Sequence, residues 1–468
     1  MLNNIIKIIF LLIVETIQEE KIIFAFQMIS NGARSPNSGV NNEFDLLKEK
    51  WFGNNELSIM GKRQLYLSGI KAKKRYINKL LHEIYNPNEI YIKSTDNNNT
   101  IESIYSFLQG LYSSGNGPNI SENIINKKEI IFPPNIKYKE SFDEILKKYQ
   151  MENSTIALPY NISVQPVHLF NKCNHEFQLS NENICKGFKE QFEKNKERKE
   201  LKDFIGNLND DIKNFFKQME NNENIDILNN YNNLYKYSDT FISDYFDMRN
   251  FNNLKKDIMM NNNLEDILYK SLYEFLSEEF ILKNNSSEVY LVDSSQTFQN
   301  IIYWMEKSIN NYSKNEKYIK YVLYSSDDSS IGTLDGFINS LFGIKMNYST
   351  FAESRIFELY IDENNKYKVR YSKGNNDIEL GKEFNEFKTT IENKIWNKET
   401  IDNFCQFGKE NKENKTNIIE DKKIKINILG ASIMIILSII DGFLIALLIL
   451  VCVQQKLKNK KNKTEVKE

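Results

Sequence analysis

IIFAFQMISNGARSPN, residues Ile22 to Asn37, is the stretch on which the reading of the chain turns. The apolar, β-rich run Ile22 to Met28 leads straight into a Gly32-Ala33-Arg34-Ser35-Pro36 turn. A buried strand delivers a loop to the carboxyl edge of an α/β sheet in this way, and such edges hold ligands.

Outward from that stretch, the period of the apolar residues continues the pattern. Glu89 to Lys93, Tyr318 to Tyr324, Ile356 to Tyr360 and Tyr367 to Tyr371 read as strands, as does Val289-Tyr290-Leu291-Val292. Arg63 to Tyr85 and Ile101 to Leu111 read as helices, so strands and helices alternate as in an α/β sheet. From Lys186 to Glu279 the spacing turns helical, with Leu201, Phe204, Ile205, Leu208, Ile212, Phe215, Phe216 and Met219 three and four residues apart. The sheet is therefore expected to be split by a helical insertion and completed by the second half of the chain.

The 468 residues, 41% hydrophobic and 26% charged, can bury a sizeable core, and the net charge of −2 offers no basic field for nucleic acid. At the amino end, Lys7 followed by the apolar Ile8 to Val14 has signal-peptide length, which sets residues 1–18 apart as a leader. Residues 426–453 form an almost unbroken apolar run, longer than the ~20 residues that cross a bilayer. Lys456, Lys458, Lys460, Lys461 and Lys463 follow, so the positive-inside rule places the 454–468 tail in the cytosol and the large amino-terminal part in a lumen or outside. Asp441 lies within this span, where a charge is costly. Phe407 to Lys425 is charged and Asn-rich, the composition of a stalk.

Four cysteines are present. With Cys173 and Cys185 in an oxidising compartment, their nearness makes them the first disulfide expectation, while Cys405 could pair with either and Cys452 sits at the cytosolic edge of the span. Sequons at Asn119, Asn153, Asn161, Asn285, Asn311 and Asn347 suggest a glycoprotein.

Five segments, in order, carry a resemblance to a known family. Ser30-Asn31-Gly32-Ala33-Arg34-Ser35-Pro36 resembles the R-H-G-x-R-x-P of the histidine acid phosphatases, branch 2 of the histidine phosphatase superfamily, with the first arginine and the histidine replaced. Glu56 to Gln64, ELSIMGKRQ, is similar to that family's E-L-T-x-x-G-x-x-Q, and Ile92 to Asp96 to its R-S-T-D strand end. Leu158-Pro159 leading to Gln165-Pro166-Val167-His168, then Val322 to Ile331 beside L-Y-S-x-H-D-T-T with Phe357 to Tyr360 as closing strand, complete the match over residues 20–375.

The resemblance implies a phosphoglycerate-mutase-like α/β fold: a central mixed sheet flanked by helices, with an inserted helical cap, to which the sequence adds one carboxyl-terminal transmembrane helix. The core is expected in 20–112 and 285–375, the cap in 113–284, and an extension with the stalk in 376–425. In the family a histidine attacks phosphorus, a second histidine and several arginines hold the phosphoryl oxygens, and an aspartate protonates the leaving alcohol. By this resemblance Asn31 stands at the nucleophile position, Ser30 at the first arginine, Lys93 at the strand-end arginine and Asp327 at the second histidine, while Arg34 and the general acid Asp328 remain.

An amide cannot take over from imidazole, because its nitrogen lone pair is delocalised and neither basic nor usefully nucleophilic. None of the three histidines, His82, His168 and His175, falls at either catalytic position. Arg34 and Lys93 set against Asp327 and Asp328 make a roughly neutral pocket where the family's is strongly positive, and one unit-charge pair at ~5 Å is worth roughly 3 kcal/mol at an effective dielectric of 20. The expectation is a type I membrane glycoprotein of phosphatase fold that has lost catalysis. Its cleft would bind a phosphorylated or anionic small molecule or a glycan, without metal or cofactor, and pairing into a homodimer stays open. The alternatives are an acid phosphatase cleaving phosphate monoesters by a non-standard route and a receptor-like or sorting protein acting through Asp441 and the tail.

Overall fold

The computed structural model describes residues 20–37, 53–125, 141–148, 155–170, 185–208, 210–223, 226–247, 270–277, 279–281, 286–346, 351–374, 376–381 and 383–405. The chain divides into Met1–Cys405 and Gln406–Glu468, and every described residue belongs to the first unit. The expected leader, stalk, span and tail, with Asp441, Cys173, Cys452 and His175, lie outside the described residues. Among the described residues no helix is long and apolar enough to cross a membrane.

Seven strands make one mixed sheet in the order β3-β2-β4-β1-β5-β6-β7. They are β1 (Lys21–Ser30), β2 (Ile90–Ser94), β3 (His168–Leu169), β4 (Tyr321–Ser326), β5 (Ser354–Ile361), β6 (Tyr367–Lys373) and β7 (Asn376–Glu379). β1 to β4 run parallel, and β5, β6 and β7 are added antiparallel. The principal helices are α1 (Ile59–Tyr76), α2 (Asn98–Leu111), α3 (Lys186–Lys196), α4 (Lys199–Gly206), α5 (Asp210–Glu223), α6 (Tyr231–Asp247), α7 (Ser287–Ser313), α8 (Asp328–Phe342), α9 (Phe384–Glu392) and α10 (Lys398–Cys405).

Side chains alternate across a strand, so the central strands feed two cores. Phe24, Phe26 and Met28 of β1 pack with Val322 and Tyr324 of β4 beneath Phe298, Ile301 and Met305 of α7 and Leu334 and Phe337 of α8. Ala25 and Ile29, with Tyr321 and Leu323, face Leu65 and Tyr76 of α1 and Phe107 and Leu111 of α2. Helices thus cover both faces, and both neighbours β1 and β4 are buried along almost their whole length.

Two expectations fail for identifiable reasons. Val289 to Val292 is not a strand but the first turns of the 27-residue α7, whose buried positions Val289, Val292, Ile301, Ile302 and Met305 follow the helical repeat; a four-residue apolar run alone cannot separate the two. The helix expected to reach Tyr85 ends at Tyr76, because Asn78 takes a left-handed φ of 63°, which breaks a right-handed helix. The sheet also runs past residue 375, since β7 pairs with β6.

The disulfide joins Cys185 to Cys405, not to Cys173. It closes where α10 meets the start of α3, an approach so tight that a Cβ on Gly187 would lie 2.4 Å from the Phe404 carbonyl oxygen. Because the bond spans 220 residues of sequence, it constrains the unfolded chain strongly. Cys405→Ser is expected to lower the unfolding free energy of the full-length protein by about 2–5 kcal/mol, read as a shift of the urea midpoint. An unchanged midpoint under non-reducing conditions would show that the bond does not form.

Candidate functional site

After β1 the chain turns to α1 on one face of the sheet, and after β4 to α8 on the other. The two connections diverge from neighbouring parallel strands, which opens a crevice at their carboxyl ends.

The Gly32 to Pro36 turn is held there by the segment that precedes α1. Ser58 N donates to Ala33 O at 2.9 Å, Ser35 N to Glu56 O at 2.8 Å, and Ala33 N to Gln64 Oε1 at 2.9 Å. Ser58 caps α1, its Oγ accepting from Gly61 N at 3.0 Å. Two glycines make this approach possible: a Cβ on Gly32 would meet Gly61 O at 2.5 Å, and one on Gly61 would meet Ala33 O at 2.1 Å. The two distant motifs of the sequence are therefore halves of one packed unit.

At the crevice lies a strongly polar cavity of about 280 Å³. Asn31, Arg34, Asp327 and Asp328 line it, so the structure brings together four of the six residues expected at the site. Asn31 is 4% exposed, and its Nδ2 donates to Gly32 O at 3.0 Å. Asp327 caps α8, accepting at Oδ1 from Ser330 N at 3.0 Å, which gives the residue expected at the second-histidine position a structural task. Asp328 accepts from Ser329 N at 2.9 Å.

Ser30 and Lys93 are not among the lining residues. Ser30 Oγ accepts from Glu353 N at 3.0 Å, tying β1 to the approach of β5. Lys93 lies on β2 with its Nζ 4.4 Å from the centre of the Phe170 ring, a cation–π contact. His168 pairs with Lys93 across β2 and β3 and stacks on Tyr91, and His82 Nδ1 lies 2.7 Å from Glu89, so neither ring reaches the cavity.

The residue that changes the site most came unannounced by the sequence. Asp239 of α6 takes the Arg34 guanidinium through two contacts, Nη2 to Oδ1 at 3.1 Å and Nη1 to Oδ2 at 3.5 Å, and also accepts Asn37 N at 2.7 Å. Both side chains are nearly buried. Burial alone would lower the pKa of Arg34, but the charges of Asp239 and Asp328 outweigh it and hold the guanidinium above its ordinary value. The Tyr235 phenol, on the same helix, is pushed well above its ordinary value by burial and then by Glu279, Asp239 and Asp328.

The lining charges are thus Arg34 against Asp239, Glu279, Asp327 and Asp328. Where the sequence pointed to a neutral pocket, the formal charge of the lining residues is negative, because Lys93 is not among them and Asp239 and Glu279 add two carboxylates. Among the described residues no group of three or more His, Cys, Asp and Glu is placed to hold a metal ion.

Residues 20–372 match the model of the histidine phosphatase superfamily (branch 2). Among solved structures, the Hafnia alvei phytase in complex with myo-inositol hexakis sulphate is similar at 11% identity and a TM-score of 0.51, over 83% of this chain and 99% of that one. The Klebsiella sp. ASR1 phytase aligns at 10% identity and a TM-score of 0.48, over 81% of this chain and 97% of that one. The Bifidobacterium longum multiple inositol polyphosphate phosphatase in complex with inositol hexasulfate aligns at 11% identity and 0.43, over 82% and 94%. No curated protein matches the chain. At such identity the Hafnia likeness shows the fold alone.

Proposed function

The chain belongs to branch 2 of the histidine phosphatase superfamily, and from that membership we propose that it is a member without phosphatase activity whose cleft serves binding. The observation that carries the reading is the buried Arg34–Asp239 pair beside Asn31. Covalent phosphoryl transfer in this family needs a nucleophilic imidazole and cations aimed at the phosphoryl oxygens. Here the imidazole is an amide, and the arginine that stays is already met by a carboxylate. Three further carboxylates line the same cavity, and each would repel a phosphate charge at ~5 Å by roughly 3 kcal/mol at an effective dielectric of 20.

Assaying the full-length protein on a phosphomonoester between acid and neutral pH tests this. Loss of a covalent nucleophile costs on the order of 10⁴–10⁶ in kcat, so no turnover above background is expected, with Asp328→Ala indistinguishable from the parent. Hydrolysis abolished by Asp328→Ala would instead support the alternative in which water attacks directly and Asp328 acts as the acid.

The setting we propose is that of a type I membrane glycoprotein, with residues 1–18 as leader, 426–453 as the span and 454–468 as a cytosolic tail. The Cys185–Cys405 bond supports this, since such bonds persist in oxidising compartments. The helices between β3 and α7 would be the cap of the family, with Asp239 as its contribution to the cleft.

A further inference from the structure

A cavity of about 350 Å³ lies on the α1 side of the sheet, between that helix and the residues that open β5 and close β6, and it shares no lining residue with the cleft. We propose that it is a second binding site, for a small organic acid whose carboxylate meets Gln27 of β1 and Lys71 of α1 and whose apolar body lies on Ala72, Ala352 and Ile356.

Gln27 carries the proposal. It stands between the core residues Ala25 and Ile29 on the strand face turned to α1, and it is 3% exposed. Its Oε1 accepts from Tyr321 Oη at 2.5 Å, whereas its Nε2 donates to no acceptor among the described residues and keeps surface open to the cavity. Buried polar groups in folded proteins are paired, so a buried amide donor that lines a cavity calls for an acceptor brought from outside.

The rest of the wall asks for the same chemistry. Lys71 Nζ donates to the Gly374 carbonyl at 2.9 Å, a neutral acceptor that does not cancel the ammonium charge. Arg75 and Lys373 line the cavity as well, but Glu358 and Asp377 meet the first and Asp335 the second, so they add donors more than net charge. Glu353, the one carboxylate among the lining residues, accepts from Arg355 Nη1 at 2.8 Å. A wall of donors that includes an ammonium suits a carboxylate and rejects an amine. The apolar side chains beside it, with the volume, suit a small molecule with a hydrocarbon body better than a bare inorganic ion.

The test is calorimetric titration of the full-length protein with sodium hexanoate, with hexanamide and inorganic phosphate as parallel arms. Expected is saturable hexanoate binding that is at least ~10-fold weaker in Gln27→Leu and in Lys71→Gln, an exposed helix position, and at least ~10-fold tighter than the binding of hexanamide or phosphate. Should Gln27→Leu fail to fold by circular dichroism, Lys71→Gln and the parallel arms decide. Absent hexanoate binding, undiminished affinity in a folded Lys71→Gln, or hexanamide or phosphate binding as tightly as hexanoate would overturn the proposal. The outcome is independent of what the cleft binds, since neither substituted residue lines it.

Discussion

Asp335→Ala is expected to cost about 3–5 kcal/mol of folding free energy, a large part of what a domain has, because it strands a buried arginine. Asp335 of α8 receives Arg355 Nε at 2.7 Å and Nη2 at 2.8 Å, Tyr371 Oη at 2.8 Å and Lys373 Nζ at 2.9 Å. Arg355 is wholly buried, and its Nη1 donates to Glu353 Oε2 at 2.8 Å and to the Ser354 carbonyl at 3.1 Å. The network ties α8, whose first turn carries Asp327 and Asp328, to β5 and β6. Without it the cleft wall would lose its anchor. Urea unfolding of the full chain measures the loss, and a drop below about 1 kcal/mol would mean the network is not formed.

The same group gives a pH dependence with a definite sign. Burial would raise the Asp335 pKa, but Arg355 and Lys373 outweigh burial and lower it. A carboxylate whose folded pKa is depressed contributes its stability in full above its unfolded value, near 3.9. That contribution falls away as the pH drops below this value toward the folded one. Stability of the parent should therefore fall more steeply in that range than that of Asp335→Ala.

Asp239→Asn is expected to turn the cleft toward anions. The amide keeps the shape and can still accept from Asn37 N, but it no longer neutralises Arg34. Removing one negative charge at ~5 Å from a bound anion is worth roughly 3 kcal/mol at an effective dielectric of 20, so orthophosphate should bind on the order of 100-fold tighter than to the parent. Some stability is lost in exchange, since a buried guanidinium gives up its counter-charge. No phosphomonoester turnover is expected from this variant, as Asn31 still lacks a nucleophilic nitrogen.

How much of this could be read from the chain depended on the range over which each feature is encoded. The strands β1, β4, β5 and β6 announced themselves as short apolar runs, whereas their order in the sheet came only with the fold. The Gly32 and Gly61 motifs were visible, although only the fold reveals that Gly32 makes room for the Gly61 backbone and Gly61 for the Ala33 carbonyl. Val289 to Val292 misled because four apolar residues fit either period. The site was half legible: Asn31, Arg34, Asp327 and Asp328 converge because the loops after β1 and β4 share one sheet edge. Asp239 lies 205 residues from Arg34, in a helix read only for its apolar packing. That Asp239 is buried, together with Ser238, Thr240, Ser243 and Asp244, becomes visible only once the helix is placed. The Cys185–Cys405 bond was hidden likewise, because sequence nearness is a poor guide to pairing across 220 residues.

Retention of the fold without the phosphate site is tested most directly by titrating orthophosphate into the full-length parent protein at pH 5 and 7 in a calorimeter. Expected is no binding tighter than about 1 mM, some −4 kcal/mol, beside measurable binding by Asp239→Asn. Micromolar phosphate binding by the parent would contradict it, since Arg34 could then not be committed to Asp239.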